Sequence, residues 1–162
     1  MSKTHSKQKG QRKTLKKNRF GKTRSNRKSH SSSTHKQIHS NANIVKTFLE
    51  MLNMIKLYHW KTKSYAQHKA TDELYSSLSS SVDTFVEVLM GKDESRIHMI
   101  EKQMNMYDFS NIADFKDRIY AYRDFLINMS NHLDPRKDTD LLNIRDEMLG
   151  HINKFLYLLT LS

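Results

Sequence analysis

The sequence predicts an all-α protein in which a four-helix bundle follows a disordered basic arm. Apolar residues recur every three or four positions in four separate segments, which is the spacing of amphipathic helices. No segment shows the sustained apolar–polar alternation of a half-buried strand. Residues 1–40 contain almost no sizeable apolar side chains, so ordering their backbone would not be offset by burial. We therefore expect a disordered arm over residues 1–40 and one helical domain over residues 41–162.

The arm is distinguished by its charge. Residues 1–49 contain 14 Lys and Arg and no Asp or Glu, whereas the whole chain contains 28 basic and 17 acidic residues. The remainder therefore holds 14 basic and 17 acidic residues, a net charge of −3. Flexible cations on a faintly acidic body predict contact with the phosphates of DNA or RNA, without readout of the bases. The residues expected to make this contact are Lys7, Lys9, Arg12, Lys13, Lys16, Lys17, Arg19, Lys22, Arg24, Arg27 and Lys28.

Composition also limits the class of protein. The chain has no cysteine, which excludes disulfides and thiolate metal sites. No stretch approaches the roughly 20 apolar residues of a membrane span, and no apolar segment follows the basic N-terminus to make a secretion signal. We expect an intracellular protein that uses no membrane and is associated with a nucleoid or a nucleus. A nuclear-import signal and docking to an anionic protein surface are alternative interpretations of the arm.

The first two helices are predicted from their apolar stripes and from the residues at their ends. The first begins after Asn43, a plausible cap, and reaches Trp60 or slightly beyond. The second opens at Thr71, whose hydroxyl can cap it, and ends at Gly91. The stripes are Ile44, Val45, Phe48, Met51, Leu52, Ile55 and Tyr58 in the first helix, and Leu74, Leu78, Val82, Phe85, Val86 and Leu89 in the second.

The third and fourth helices are expected over residues 112–133 and 139–159, on either side of Pro135, the only proline. Their stripes are Phe115, Ile119, Tyr122, Leu126 and Met129, then Leu142, Met148, Leu149, Ile152, Phe155, Leu156 and Leu159. Residues 92–110 form a long connection, with a short helix near residues 96–104. Such a connection can cross the length of a bundle whose helices are roughly 30 Å long. An ordinary up-and-down bundle is the alternative.

A polar stripe on the second helix carries two carboxylates. Asp83 and Glu87 are four residues apart, so they lie on one face, one turn from each other. Carboxylate oxygens together with imidazole suit iron, manganese or zinc, and His59 and His68 lie upstream. The alternative interpretations are a solvated helix face for the carboxylates and ordinary half-buried or surface roles for the histidines.

Six residues of this region form an ordered set: His59, Trp60, His68, Tyr75, Asp83 and Glu87. The intervals from the second histidine onwards are seven, eight and four residues. This arrangement resembles the Dps branch of the ferritin superfamily, which carries a His-Trp near the end of its first helix, then a second His, a Tyr, an Asp and a Glu. The wider resemblance covers residues 43–159.

The resemblance implies a ferritin-like four-helix bundle, with a long connection between helices two and three, and an iron site shared by two subunits. By resemblance, His59 and His68 bind the metal from one chain, with Trp60 packed beside them. Asp83 and Glu87 bind it from the partner chain. The resemblance further implies ferroxidase activity, the oxidation of Fe(II) by peroxide or oxygen, in a homo-oligomer that is a dimer at least and in the family a twelve-subunit shell. Zinc and manganese are alternative metals.

The arm and the composition, rich in Asn, Lys, Ser and Met, are similar to those of Dps-like proteins encoded by large DNA viruses, for which a viral factory or virion is the expected location. The leading hypothesis is a Dps-like nucleoprotein that binds or compacts DNA through its arm and binds and oxidises Fe(II). A non-enzymatic protein that packages nucleic acid, with a degenerate metal site, is the alternative. A third hypothesis, an adaptor bundle with a nuclear-targeting arm, predicts a monomer or dimer.

Overall fold

Four α-helices make up the fold. The structure is a computed structural model that describes Met1, residues 28–99 and residues 103–161, with the backbone alone described for residues 28–40 and Asp93. The helices are α1 (Lys28–Lys61), α2 (Tyr65–Asp93), α3 (Ile112–Asn128) and α4 (Thr139–Leu158), and the 3-10 turns Met129–Asn131 and Leu159–Leu161 extend the last two. None of these described residues lies in a strand, so the predicted all-α class with four helices is confirmed. No helix in the described part is long and apolar enough to cross a membrane.

Contacts near the helix ends establish how α2 and α4 are oriented. Lys92, near the end of α2, forms an ion pair with Asp140 in the first turn of α4. Lys154, near the end of α4, forms an ion pair with Glu73 near the start of α2. The two helices are therefore antiparallel. The three-residue turn 62–64 makes α1 antiparallel to α2 as well.

α3 runs antiparallel to α1 and hence parallel to α2. The ring of Phe115, near the start of α3, stacks on that of Tyr58, near the end of α1, with the ring centres 4.0 Å apart. The ring of Phe125, near the end of α3, makes an edge contact with Phe48, with the centres 6.1 Å apart. Two consecutive helices can run parallel only if the chain between them returns along the bundle.

Residues 94–111 connect α2 to α3, and the part of this connection near residues 105–108 lies against α1. The backbone N–H of Asn105 donates to the buried Glu50 carboxylate, in the middle of α1, at 2.8 Å. Three residues later, Asp108 forms an ion pair with Lys61 at the end of α1. The chain thereby reaches the end of the bundle at which α3 begins.

A short helix near residues 96–104 was expected in this connection, but residues 96–99 and 103–104, the described part of that range, are not helical. Helices of two or three turns are marginal unless an apolar face is packed, and this segment is largely exposed. α2 itself continues past Gly91 to Asp93, and Glu94 follows with a positive φ of 52°.

α1 begins earlier than the apolar pattern indicates. The predicted start is Asn43, whereas the backbone is helical from Lys28, so residues 28–40 of the expected arm belong to α1. Extending an existing helix adds one hydrogen bond for each residue fixed and avoids the cost of nucleation, so an apolar stripe is not required. Residues 2–27, the remainder of the expected arm, lie outside the described residues.

α2 also begins earlier than predicted. Ser64 is its N-cap, and the side-chain oxygen accepts from the backbone N–H of Gln67 at 3.4 Å. Thr71, predicted to be the cap, is fully buried inside the helix, and its hydroxyl donates to the Gln67 carbonyl at 2.7 Å. That prediction is wrong because residues 65–70 lack a stripe of large apolar side chains, so periodicity does not mark them as helical.

The core is built from the predicted stripes. Every residue of the α1 stripe and of the stripe predicted for the third helix is buried, and Val86, Leu142, Leu149 and Leu159 are the partly buried members of the other two. Phe48 and Phe85 meet edge to face at the centre, with their ring centres 5.3 Å apart. The apolar periodicity therefore identified which side of each helix faces the core.

Tyr122 is a core residue whose hydroxyl has no hydrogen-bond partner among the described residues. Burial raises the pKa of Tyr122 to about 12. The guanidinium of Arg118, 5.2 Å from the ring centre, partly offsets this effect, first through its N–H groups and then through its positive charge. The neutral phenol is the form that the folded state favours. Its contribution to stability is present below pH 10.0, the ordinary pKa of tyrosine, and is lost as the pH rises towards 12.

We predict that Tyr122→Phe leaves the free energy of unfolding at neutral pH unchanged or raises it by up to about 1 kcal/mol, because it removes an unpaired buried hydroxyl without creating a cavity. The wild type should lose about 2 kcal/mol between pH 10 and pH 12 that the variant keeps. Urea unfolding at both pH values measures this. A loss of more than about 1 kcal/mol in the variant at neutral pH would mean that the hydroxyl makes a stabilising hydrogen bond.

Candidate metal centre

The turn that joins α1 to α2 is held by hydrogen bonds to one amide. Tyr58 and Thr62 both donate to the side-chain oxygen of Gln67, at 2.8 and 2.9 Å. Burial raises the pKa of the Tyr58 hydroxyl, with a smaller opposing effect of Thr62, so the phenol stays protonated and donates. Because the acceptor belongs to α2 and the donors to α1 and the turn, the end of α1 is fixed against the start of α2.

The two predicted histidine ligands meet at this turn. The rings of His59 and His68 stack, with their centres 3.9 Å apart and their planes 22° from parallel. Nδ1 of His59 lies 3.1 Å from the carbonyl oxygen of His68, and Nδ1 of His68 lies 3.0 Å from the carbonyl oxygen of His59. Each histidine is thus bound to the main chain of the other.

These reciprocal bonds determine which nitrogen of each neutral ring carries the proton. A carbonyl oxygen can only accept, so Nδ1 must be the donor in both His59 and His68. In the neutral imidazole the other nitrogen, Nε2, then has a free lone pair. Metal-bound histidines ordinarily show this pattern, in which one ring nitrogen donates to a carbonyl or carboxylate and the other binds the metal.

Asp72 lies next to the histidine pair and was not among the residues predicted from the sequence. Its carboxylate oxygen is 3.8 Å from Nε2 of His59 and 3.8 Å from the ammonium group of Lys56. It follows His68 by four residues, so both lie on one face of α2. That spacing was the signal in the sequence that could have identified it.

Trp60 lies on the surface beside this group and is 68% exposed. The ammonium group of Lys56 is 6.0 Å from the centre of the Trp60 ring and 4.6 Å from the centre of the Tyr75 ring. Lys56 therefore connects the tryptophan, the tyrosine of the predicted set and Asp72 into one surface.

The structure does not bring the predicted carboxylates to the histidines of the same chain. Asp83 and Glu87 are exposed on α2, 15 and 19 residues after His68, which corresponds to roughly 23 and 29 Å along the helix. Across residues 28–99 and 103–161, no three His, Asp or Glu side chains assemble as a group that could hold a metal ion. One chain therefore presents the predicted ligands as two separate halves.

An open groove of about 730 Å³ lies between the two halves, on the outer surface of α1 and α2. Its α1 side is formed by Leu49 and Leu52. Its α2 side consists mainly of small and polar residues, namely Asp72, Tyr75, Ser76, Ser79, Ser80, Val82 and Asp83. The groove thus joins the histidine end of α2 to the carboxylate end.

The predicted nucleic-acid contacts of the arm fall almost entirely outside the described residues. Of the eleven basic residues, ten lie within residues 2–27, and Lys28 begins α1 with its backbone alone described. The structure therefore adds nothing to the charge argument for the arm.

Comparison with known proteins identifies a family. None of the curated proteins and none of the solved structures matches the chain. The profile of one family matches residues 59–159, from the first histidine of the pair to the residue after α4. This match covers more than half of the chain, and so the protein belongs to the family of unknown function DUF5856.

Proposed function

We propose that the protein is a ferritin-like protein of the Dps kind that binds Fe(II) between two copies of the chain and oxidises it. The observation that carries the proposal is the pair His59 and His68, whose reciprocal bonds leave Nε2 of both rings free to bind a metal. His59 is buried and His68 is partly buried, and a main-chain carbonyl fixes each ring in the way that is usual for histidines that bind a metal.

The residues at this end of α2 fit iron. Two imidazole nitrogens with a nearby carboxylate, Asp72, are donors that suit iron, manganese or zinc. In the absence of a metal, Lys56 places a positive charge 3.8 Å from Asp72. Fe(II) bound to Asp72 would replace the ammonium group of Lys56 as the positive charge beside the carboxylate. Asp72 therefore has a cationic partner both with and without the metal.

The remaining ligands, Asp83 and Glu87, come from a second copy in this proposal. If two α2 helices pair antiparallel about a twofold axis centred between residues 77 and 78, Glu87 lies opposite His68 and Asp83 lies opposite Asp72. One axis therefore satisfies both pairings. It also generates two identical sites, because each copy supplies histidines to one site and carboxylates to the other.

The surface around this axis suits close contact between helices. Ser76 and Ser79 lie on either side of its centre, and small side chains allow two helix backbones to approach closely. The carboxylates of Asp83 and Glu87 form no ion pair among the described residues of their own chain, so a cation at the interface would give them a partner. The surface is thus complementary to itself, as a twofold contact requires.

The arrangement of the helices is compatible with the ferritin-like part of the proposal. α2 and α3 run parallel, and residues 105–108 of the chain between them lie against α1. An up-and-down bundle would instead place consecutive helices antiparallel.

The chemistry in this proposal is electron transfer from bound iron, which is the substrate. Two Fe(II) ions each give up one electron, and one molecule of peroxide takes both electrons and two protons to form two molecules of water. One molecule of oxygen takes four electrons and four protons. The residues bind and orient the ion, and the carboxylates stabilise the added positive charge of Fe(III). No side chain is required to act as a nucleophile.

We predict that Asp83→Asn/Glu87→Gln abolishes saturable Fe(II) binding and fast oxidation, since it removes from every site the two carboxylates that the second copy supplies. Anaerobic Fe(II) titration of the sized protein, followed by peroxide, measures both. Asp117→Asn/Asp124→Asn is the matched control, because it removes the same charge from exposed positions on α3. Equal activity in the two variants would contradict the proposal.

A mixing experiment tests whether two copies of the chain share each site. We predict that two variants are each inactive alone, namely His59→Ala/His68→Ala and Asp83→Asn/Glu87→Gln. When the two variants are assembled together, half of the dimers are mixed, and each mixed dimer has one intact site of its two. The mixture should therefore show about a quarter of the wild-type activity. No Fe(II) binding by a well-assembled wild type would favour the alternative, a structural nucleic-acid packaging protein.

The twofold axis can be tested separately from iron. We predict that Ser76→Cys/Ser79→Cys forms a disulfide-linked dimer under mild oxidation, because the axis places residue 76 of one copy opposite residue 79 of the other. The chain has no cysteine of its own, so the introduced thiols are the only ones present. Non-reducing electrophoresis measures the product. Asn153→Cys, exposed on α4, is the control, and equal linkage in both would reject the axis.

A second proposed function, binding of DNA or RNA by the arm, is supported by the distribution of charge. Residues 1–27 contain 11 Lys and Arg and no acidic residue, whereas residues 50–162 carry a net charge of −3. An assembly that displays several arms would bind a polyanion more tightly than one arm does. The family match covers residues 59–159 and does not include the arm.

We predict that deletion of residues 1–27, which leaves α1 intact, abolishes retardation of DNA in a gel without unfolding the bundle. For the full-length chain, log K should fall against log salt with a slope of about −5, if roughly half of the arm's charges contact phosphates. Circular dichroism of the truncated protein is the folding control. Undiminished DNA binding after the deletion would remove the arm from the proposal.

A further inference from the structure

Thr71 is a fully buried polar residue in contact with the histidine pair. Its hydroxyl oxygen lies 2.7 Å from the Gln67 carbonyl oxygen, 3.1 Å from the His68 carbonyl oxygen and 3.4 Å from Nδ1 of His59. A threonine inside a helix commonly donates to the carbonyl four residues earlier, and that bond satisfies its single proton. The contact with His59 is additional, and it suggests a role beyond the helix.

The direction of each hydrogen bond follows from the carbonyls. Because carbonyl oxygens only accept, the Thr71 proton goes to Gln67 or to His68, and the lone pairs of its oxygen are left for His59. Nδ1 of His59 then has two acceptors, the His68 carbonyl at 3.1 Å and the Thr71 hydroxyl at 3.4 Å. Both favour the tautomer with the proton on Nδ1.

We infer that Thr71 is the positioning residue of the histidine pair, whose hydroxyl holds His59 with its proton on Nδ1 and so keeps Nε2 free for the metal. The same hydroxyl lies within hydrogen-bond distance of the His68 carbonyl, which is the acceptor for His59. The Thr71 side chain therefore contacts both partners of the hydrogen bond between the His59 ring and the His68 carbonyl. The consequence for metal binding rests on the proposed function, whereas the tautomer is a property of the metal-free protein.

If Thr71 only filled space in the core, removal of its hydroxyl would have a different effect. The site is closed to solvent, so an apolar side chain of the same shape would pack there at least as well as threonine. Thr71→Val keeps the shape and removes the hydroxyl. Thr71→Ser keeps the hydroxyl and removes one methyl group, which leaves a small cavity. The two variants therefore separate packing from positioning.

The experiment uses the full-length protein with ¹⁵N-labelled histidine and two measurements. Nitrogen NMR reports which ring nitrogen carries the proton, and the His59 signal is assigned by its loss in His59→Gln. Titration with Co(II), followed by its visible absorption, reports affinity. We expect Thr71→Val to move His59 towards a mixture of tautomers and to weaken Co(II) binding by about tenfold or more. Thr71→Ser should keep the wild-type tautomer and affinity while melting at a lower temperature.

Unchanged tautomer and unchanged Co(II) affinity in folded Thr71→Val would overturn the inference. If Thr71→Val does not fold, the pair Thr71→Ser and Thr71→Ala replaces it, since these differ by the hydroxyl alone, and identical spectra would overturn the inference equally. A wild type that binds no Co(II), together with a changed tautomer in Thr71→Val, would leave Thr71 as the positioning residue and reject the proposed metal function instead.

Discussion

The reciprocal bonds between His59 and His68 are the interaction on which the α1–α2 end of the bundle depends. The carbonyl of His59 belongs to the last turn of α1, where carbonyls lack the N–H of a following turn. The ring of His68 supplies the missing donor at 3.0 Å and thereby caps α1. The ring of His59 donates in the same way to the His68 carbonyl in α2, and the two rings stack on each other. The contact that ends one helix beside the other also turns Nε2 of both rings away from the main chain.

A second constraint is the buried carboxylate of Glu50, which needs donors because an unpaired charge in the core is costly. The backbone and side-chain N–H groups of Asn105 supply them, at 2.8 and 3.2 Å. The connection is therefore held along α1, and α3 begins beside the histidine end. This route places α3 and α4 against one side of the α1–α2 pair and leaves the other side open, with Trp60 exposed. The proposed second copy would cover that open side.

The sequence by itself determined the features that depend only on which residues follow one another along the chain. The four helices, their core-facing residues and the placement of Asp83 and Glu87 on one face of α2 all follow from a repeat of 3.6 residues. The charge asymmetry between the first 49 residues and the rest is likewise a property of composition. Periodicity failed at the polar starts of α1 and α2, because residues 28–40 and 65–70 carry no apolar stripe for it to detect.

Only the tertiary structure decided which side chains meet. His59 and His68 are nine residues apart across a turn, and the sequence does not specify that their rings stack or that each Nδ1 reaches the other's carbonyl. The positions of Asp72 and Thr71 beside His59 follow from the same packing. The spacing of four residues from His68 could have indicated Asp72, whereas no local pattern indicated the contact between Thr71 and His59. Helical periodicity is set by each residue's near neighbours, whereas these contacts depend on how whole helices are oriented against one another.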